Sequence, residues 1–178
     1  MSGIAADLGS AAGVKQLIDQ LGPVDILINN LGIFDPAPFL EITDEDWLRF
    51  FEINVMSGVR LSLALLPHML KRNWGRIIFI SSESGLNIPA EMVHYGMTKT
   101  AQLAISRGIA ESFPGTGVTV NAVLPGPTSS EGVVAFFDKV VADRGVDVAE
   151  LTKTLRPTSL IQRLGGSGRG RQPRRLSL

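Results

Sequence analysis

The 178-residue chain contains no cysteine and only two histidines, His68 and His94. The lack of cysteine excludes disulfides, thiolate nucleophiles and cysteine-ligated zinc or iron–sulfur centres. Two histidines are too few for a histidine-rich zinc site. Neither sign of charge dominates, since 17 basic and 17 acidic side chains cancel, so no overall field favours nucleic acid as a partner. We therefore predict no metal site and no nucleic-acid partner.

Long apolar runs are also missing. The longest such stretch, residues 59–70, is interrupted by Arg60, Pro67 and His68, and it falls short of the roughly 20 apolar residues that span a bilayer. The first ten residues include Asp7 but no lysine or arginine, and they lack the basic start and apolar segment of a signal peptide. These features predict a cytoplasmic protein with no membrane partner.

Helical and strand patterns alternate along the chain, whose length suits one domain. Three short apolar runs are predicted to be buried strands: residues 24–29, 76–81 and 118–124. Helices are predicted after the N-cap Ser10, over residues 44–72 behind a capping box at Thr43, and over residues 91–113 and 132–144. Pro67 is expected to kink or restart the second helix. This alternation predicts an α/β fold with a doubly wound parallel sheet.

Small and polar residues follow each predicted strand, at residues 29–32, 81–85 and 125–128. In parallel α/β sheets the ligand lies beyond the carboxyl ends of the strands. We therefore predict that the functional site is formed by these three segments.

The most informative chemical pattern is the pair formed by Tyr95 and Lys99. Tyr95 is the only tyrosine, and a spacing of four residues places both side chains on one face of a helix. A free phenol has a pKa of about 10, but a nearby ammonium favours the phenolate. Such a phenol can exchange a proton with an alcohol or carbonyl oxygen. An ordinary surface pair at the same spacing is the alternative.

Two further polar residues are candidates. Ser82 lies at a predicted strand end, thirteen residues before Tyr95, where its hydroxyl could hydrogen-bond the same substrate oxygen. Serines at strand ends also occur without a function. Asn54 lies inside an apolar helix, where asparagine is a poor residue because its side chain competes for backbone groups. It is either a solvent-facing filler or a placed polar group.

Taken together and in order, five motifs resemble the short-chain dehydrogenase/reductase family: NNLG at residues 29–32, Asn54 in its helix, Ser82 in IFISSESG, YGMTK at residues 95–99 and NAVLPGPT at residues 121–128. The resemblance covers about residues 3–163 and is greatest to 3-oxoacyl-carrier-protein reductase-like members. It implies a partial Rossmann-like fold and an oxidoreductase that transfers a hydride between NAD(P)(H) and a small carbonyl or alcohol substrate. It also implies a homo-oligomer.

The resemblance implies catalytic roles for four residues. Tyr95 would be the general acid/base, and Lys99 would lower the pKa of Tyr95 and hold the nicotinamide ribose. Ser82 would orient the substrate oxygen, and Asn54 would hold a water that links Lys99 to solvent. Contacts to NAD or NADP would be made by Asp7, Leu8, Asn29, Asn30, Gly32, Tyr95, Lys99, Pro125, Gly126 and Thr128.

The sequence departs from the family pattern at both ends. Family members begin with a strand and a glycine-rich turn, TGxxxGxG, that binds the cofactor pyrophosphate, and this sequence contains no such turn. Residues 4–6 resemble the end of the third family strand. We therefore expect an N-terminally truncated domain over residues 1–160 that binds NAD(P)H weakly. Residues 161–178, rich in glycine and arginine, are expected to be a disordered tail that resembles a shifted reading frame.

An inactive fragment is the alternative interpretation. The predicted helices at 44–72 and 91–113 form the dimer face in the family, and they would retain an association surface. Their apolar side chains include Trp47, Phe51, Val59 and Leu63. A nucleic-acid-binding tail is the third interpretation, although no aromatic residue lies among the arginines of the tail.

Overall fold

The secondary structure alternates between helices and strands, as the sequence predicts. The computed structural model describes residues 3–126 and Thr128. The helices are α1 (Ala11–Ile18), α2 (Asp44–Phe51), α3 (Ser57–Lys71) and α4 (Val93–Ser112), and the strands are β1 (Ile26–Asn29), β2 (Gly75–Ile80) and β3 (Val118–Val123). The predicted helix at 132–144, the predicted domain boundary at 160 and the predicted tail at 161–178 lie outside the described residues.

The three strands form one parallel sheet in the order β1-β2-β3. The register pairs Leu27 with Ile77 and Ile77 with Val120, so these three side chains share one face of the sheet. A helical segment lies between each pair of neighbouring strands, as a parallel connection requires. The predicted parallel α/β sheet is confirmed.

The hydrophobic core fills one face of this sheet. Ile77 and Phe79 on the central strand are fully buried, and Met69 of α3 packs with them, together with residues of α1 and α4. On the opposite face, Ile26 and Ile28 of β1 are 52% and 57% exposed. The described helices therefore cover one face, and the second helical layer of a doubly wound sheet is not found among the described residues.

The long helix predicted at 44–72 consists of two α-helices joined by a π-helical turn, Glu52–Met56. The capping box is confirmed, since Thr43 and Asp46 exchange side-chain and backbone hydrogen bonds at its start. Pro67 lies inside α3, so the helix does not restart there. Leu63 and Pro67 are both exposed, so the Leu63 carbonyl that lacks an N–H partner at Pro67 can bind water.

Among the described residues, the helical stretch Asp44–Lys71 is long and apolar enough, by length and composition, to cross a membrane. Half of the 18-residue apolar segment that meets this criterion is buried inside the protein. Leu61 packs in the core against the sheet, and Phe50 packs against His94 of α4 with ring centroids 4.0 Å apart. In this fold the stretch serves as a core helix.

Candidate active site

Tyr95 and Lys99 lie on one face of α4, as their spacing predicts. Lys99 Nζ is 5.6 Å from the centre of the Tyr95 ring. Lys99 is only 6% exposed, whereas Tyr95 is partly exposed. Phe34, in the loop after β1, packs edge-on against the Tyr95 ring with centroids 6.3 Å apart. The pair is therefore not an ordinary surface pair, because its lysine is buried.

Burial determines the charge state of Lys99. Its Nζ donates to the carbonyl oxygen of Ile80 at the end of β2, at 3.0 Å, and to Gln102 Oε1, at 3.4 Å. None of the ion pairs among the described residues includes this lysine. Desolvation lowers the pKa of Lys99 to about 8. The ammonium is thus the main form of Lys99 at neutral pH, but it loses its proton at a lower pH than an exposed lysine does.

Ser82 lies in the loop that follows β2. Its Oγ accepts the N–H of Ser84 at 3.1 Å and so begins a short 3-10 turn. Two hydrogen bonds fix this loop on α4. Ser81 Oγ donates to the carbonyl oxygen of Lys99 at 2.8 Å, and Thr100 Oγ1 donates to the last carbonyl of the turn, also at 2.8 Å. The loop of Ser82 is therefore held against the helix that contains the tyrosine–lysine pair.

Asn54 is a placed polar group and not a solvent-facing filler. It is 1% exposed and lies in the π-helical turn, a feature that often occurs at functional sites. Its Oδ1 accepts the N–H of Ile33 at 2.7 Å, and its Nδ2 donates to the carbonyl of Ile33 at 2.9 Å and to Thr98 Oγ1 at 3.0 Å. The Asn54 amide therefore joins the loop after β1 to α4.

The predicted cofactor residues after β1 differ in orientation. A Cβ on Gly32 would lie 3.5 Å from both Lys99 Nζ and Asn54 Oδ1, so glycine leaves space beside the ammonium. Asn30 is exposed. Asn29 is 6% exposed, and its Nδ2 lies 3.5 Å from a serine hydroxyl of α3. Its side chain thus lies on the covered face of the sheet, where its Oδ1 has no hydrogen-bond partner among the described residues.

The other predicted cofactor residues come from the two ends of the described chain. Asp7 is exposed, and its Oδ1 accepts the N–H two residues later at 3.0 Å, whereas Leu8 packs against the core. The residues after β3 belong to a second compact unit that begins at Pro125. Within that unit, Thr128 Oγ1 donates to the carbonyl of Gly126 at 3.1 Å. Their roles toward a cofactor stay predictions.

Sequence reasoning missed Thr98, Gln102 and Phe34. Thr98 is fully buried and Gln102 is 2% exposed. Helical spacing alone could have found the first two, because the polar side chains of α4 recur every three or four residues. This polar stripe consists of positions 95, 98, 99, 102 and 106. A polar stripe normally indicates the solvent side of a helix, but here most of it is buried.

A family model and several individual proteins match this chain. The family model described as "short chain dehydrogenase" matches residues 2–140 of this chain. The uncharacterized oxidoreductase YvaG of Bacillus subtilis (strain 168) is 48% identical over 164 residues, which are 90% of this chain and 62% of that protein. Acetoacetyl-CoA reductase of Paracoccus denitrificans is 34% identical over 131 residues, 74% of this chain and 54% of that protein.

Two solved structures with bound cofactor have a similar fold. L-sorbose reductase from Gluconobacter frateurii, complexed with NADPH and L-sorbose, has a TM-score of 0.81 and 27% identity, with 91% of this chain and 64% of that chain covered. A putative NAD(P) dependent gluconate 5-dehydrogenase from Beutenbergia cavernae, with bound NADP, has a TM-score of 0.79 and 26% identity, with 92% and 63% covered.

The family model includes the described residues of the candidate site. The chain spans 62% of YvaG and 64% of the L-sorbose reductase chain, which is less than two thirds of each. The family model nevertheless matches most of the chain, from β1 through the polar stripe of α4 to β3. The protein therefore belongs to the short-chain dehydrogenase/reductase family.

Proposed function

We propose that the chain provides the proton-transfer side chains of a cytoplasmic, NAD(P)-dependent reductase of small carbonyl compounds, or dehydrogenase of small alcohols. The observation on which this rests is the buried Lys99, whose Nζ lies 5.6 Å from the ring of the only tyrosine, Tyr95. The NADPH and NADP held by the similar L-sorbose reductase and gluconate 5-dehydrogenase structures support a nicotinamide cofactor.

In the proposed reduction, Tyr95 donates its phenolic proton to the carbonyl oxygen of the substrate, and the alcohol forms. The nicotinamide, when bound, supplies the hydride for the carbonyl carbon. Lys99 stabilises the phenolate that remains, because its buried ammonium places an opposite charge beside the ring. Ser82 orients the substrate oxygen through its hydroxyl. In the oxidation of an alcohol the proton moves in the reverse direction.

The residues around Lys99 fit the nicotinamide end of the cofactor. An ammonium has three N–H donors, and among the described residues two of them bind Ile80 and Gln102. The third is left for a ribose hydroxyl. Gly32 keeps open the space beside Nζ, which a Cβ would approach to 3.5 Å. We therefore assign Lys99 and Gly32 to the nicotinamide end of the cofactor.

The ultraviolet absorbance of Tyr95 tests the proposal, because a chain with one tyrosine reports a single phenol. Burial lowers the pKa of Lys99 to about 8, and two interacting groups titrate as a coupled pair. An ammonium beside the ring favours the phenolate. We therefore expect the phenolate to form at a lower pH in the wild type than in Lys99→Met.

Lys15→Met is the matched control for this titration. Lys15 is exposed on α1 and pairs with Asp19, so its loss should leave the phenol curve unchanged. Identical phenol titrations in the wild type and in Lys99→Met would contradict the proposal, because the ammonium would then have no electrostatic effect on the phenol.

We further propose that a second copy of the chain covers the exposed side of α2 and α3. Leu48, Phe51 and Leu63 are 70%, 40% and 69% exposed there. Burial of one leucine side chain contributes about 1.5–3 kcal/mol, so several together favour association. Sedimentation of a Leu48→Lys, Leu63→Lys double variant should shift toward the monomer. Leu86→Lys, at a loop residue that is 70% exposed, is the control. A monomeric wild type would refute this proposal.

A further inference from the structure

The side chain of Gln102 lies between two groups of the site. Gln102 is 2% exposed. Its Nε2 donates to the main-chain carbonyl oxygen of Asn54 at 2.6 Å, and its Oε1 accepts from Lys99 Nζ at 3.4 Å. Gln102 follows Lys99 by three residues on α4, so both side chains project from the same face. One amide therefore connects the π-helical turn to the ammonium.

The bond to Asn54 determines which end of the amide faces Lys99. A carbonyl oxygen only accepts hydrogen bonds, so the NH₂ end of Gln102 must face Asn54. The amide oxygen is then directed to Lys99, where it can only accept. An acceptor beside an ammonium favours the charged form, which opposes the effect of desolvation on the pKa of Lys99. The reversed amide would place N–H groups against the ammonium and leave the Asn54 carbonyl facing an oxygen.

We propose that Gln102 is a positioning residue, which holds the Lys99 ammonium beside Tyr95 and keeps it charged. The contact to Lys99 follows from the geometry, and its importance for catalysis rests on the proposed function. Lys99 Nζ lies 5.6 Å from the centre of the Tyr95 ring, and none of the ion pairs among the described residues includes this lysine. In the proposal, the amide oxygen of Gln102 partly offsets the effect of burial on the ammonium.

The pKa of Lys99, measured by NMR of ¹³Cε-labelled lysine, tests this role. The signal of Lys99 is assigned by its loss in Lys99→Met. The titrations are made in the Tyr95→Phe background, so that one group of the pair titrates alone. In Gln102→Met, which keeps the length of the side chain but removes the acceptor, the pKa of Lys99 should fall by about 0.5–1. In Gln102→Glu, which adds a carboxylate, it should rise by about one or more.

Opposite shifts in the two variants distinguish positioning from a structural role, because loss of packing would not change sign between them. Gln20→Leu, at an exposed glutamine, should leave the pKa of Lys99 unchanged. An unchanged pKa in Gln102→Met, or shifts in the same direction in both variants, would overturn the proposal. If Gln102→Met does not fold, the absence of a rise in Gln102→Glu would overturn it alone. None of these titrations requires turnover, so a failure of the proposed reductase activity would be recognised separately.

Discussion

Replacement of Tyr95 by phenylalanine is expected to lower kcat for NAD(P)H-dependent carbonyl reduction about 100- to 10,000-fold, the range over which a general acid contributes. The variant removes one oxygen and keeps the ring, so the edge-on contact with Phe34 at 6.3 Å is retained. No other phenol can take over, because the chain has a single tyrosine. The measurement is the initial rate of NADPH consumption with a set of small ketones.

The loss should fall on kcat with little change in KM, since the proton moves in the transition state. Trp74→Phe is the control, because it also replaces an aromatic residue by phenylalanine at a side chain that is 42% exposed outside the site. It should be as active as the wild type. If Tyr95→Phe retained a rate within about threefold of the wild type, Tyr95 would have no part in the chemistry.

The largest expected effect on stability comes from Ile77→Ala, which should lower the free energy of unfolding by about 2–5 kcal/mol. Ile77 is fully buried on the central strand, with Leu27 and Val120 beside it in register. The truncated side chain would leave a cavity that neighbours on both sides cannot fill. Because a domain is stable by only about 5–15 kcal/mol, urea denaturation should show a clearly lower midpoint.

Ile28→Ala provides the same substitution on the other face of the sheet. Ile28 is 57% exposed and lies on the neighbouring strand β1. This substitution should lower the free energy of unfolding by less than about 1 kcal/mol, because little apolar area is withdrawn from the core. Equal losses in the two variants would show that the stability of the sheet does not come from its covered face.

Much of the fold could be predicted because its signals are local. The apolar run at 24–29 located β1, which is Ile26–Asn29, and the capping box at Thr43 located the start of α2. The behaviour of Pro67 could not be predicted in this way. A proline inside a helix leaves the carbonyl four residues earlier without its N–H partner, and the helix continues where water can bind that carbonyl. Whether water reaches it depends on which side of the helix faces solvent.

The candidate site could be predicted only in part, for a similar reason. Helix geometry alone brings Tyr95 and Lys99 together. The partners of Asn54 are distant in sequence, since Ile33 is 21 residues away and Gln102 is 48 residues away. The water that the resemblance implies at Asn54 stays a prediction. The hydrogen bond from Gln102 to the Asn54 carbonyl depends on tertiary packing, so no local pattern could have predicted it.

Among the strands that the structure describes, β1 has a neighbour on one side only. On its outer edge, the backbone amide and carbonyl groups can pair with an extended peptide or with an edge strand of another molecule. Ile26 and Ile28, half exposed beside that edge, make such pairing more favourable. We therefore expect this edge of β1, which takes no part in the proposed proton transfer, to favour self-association of the chain at high concentration.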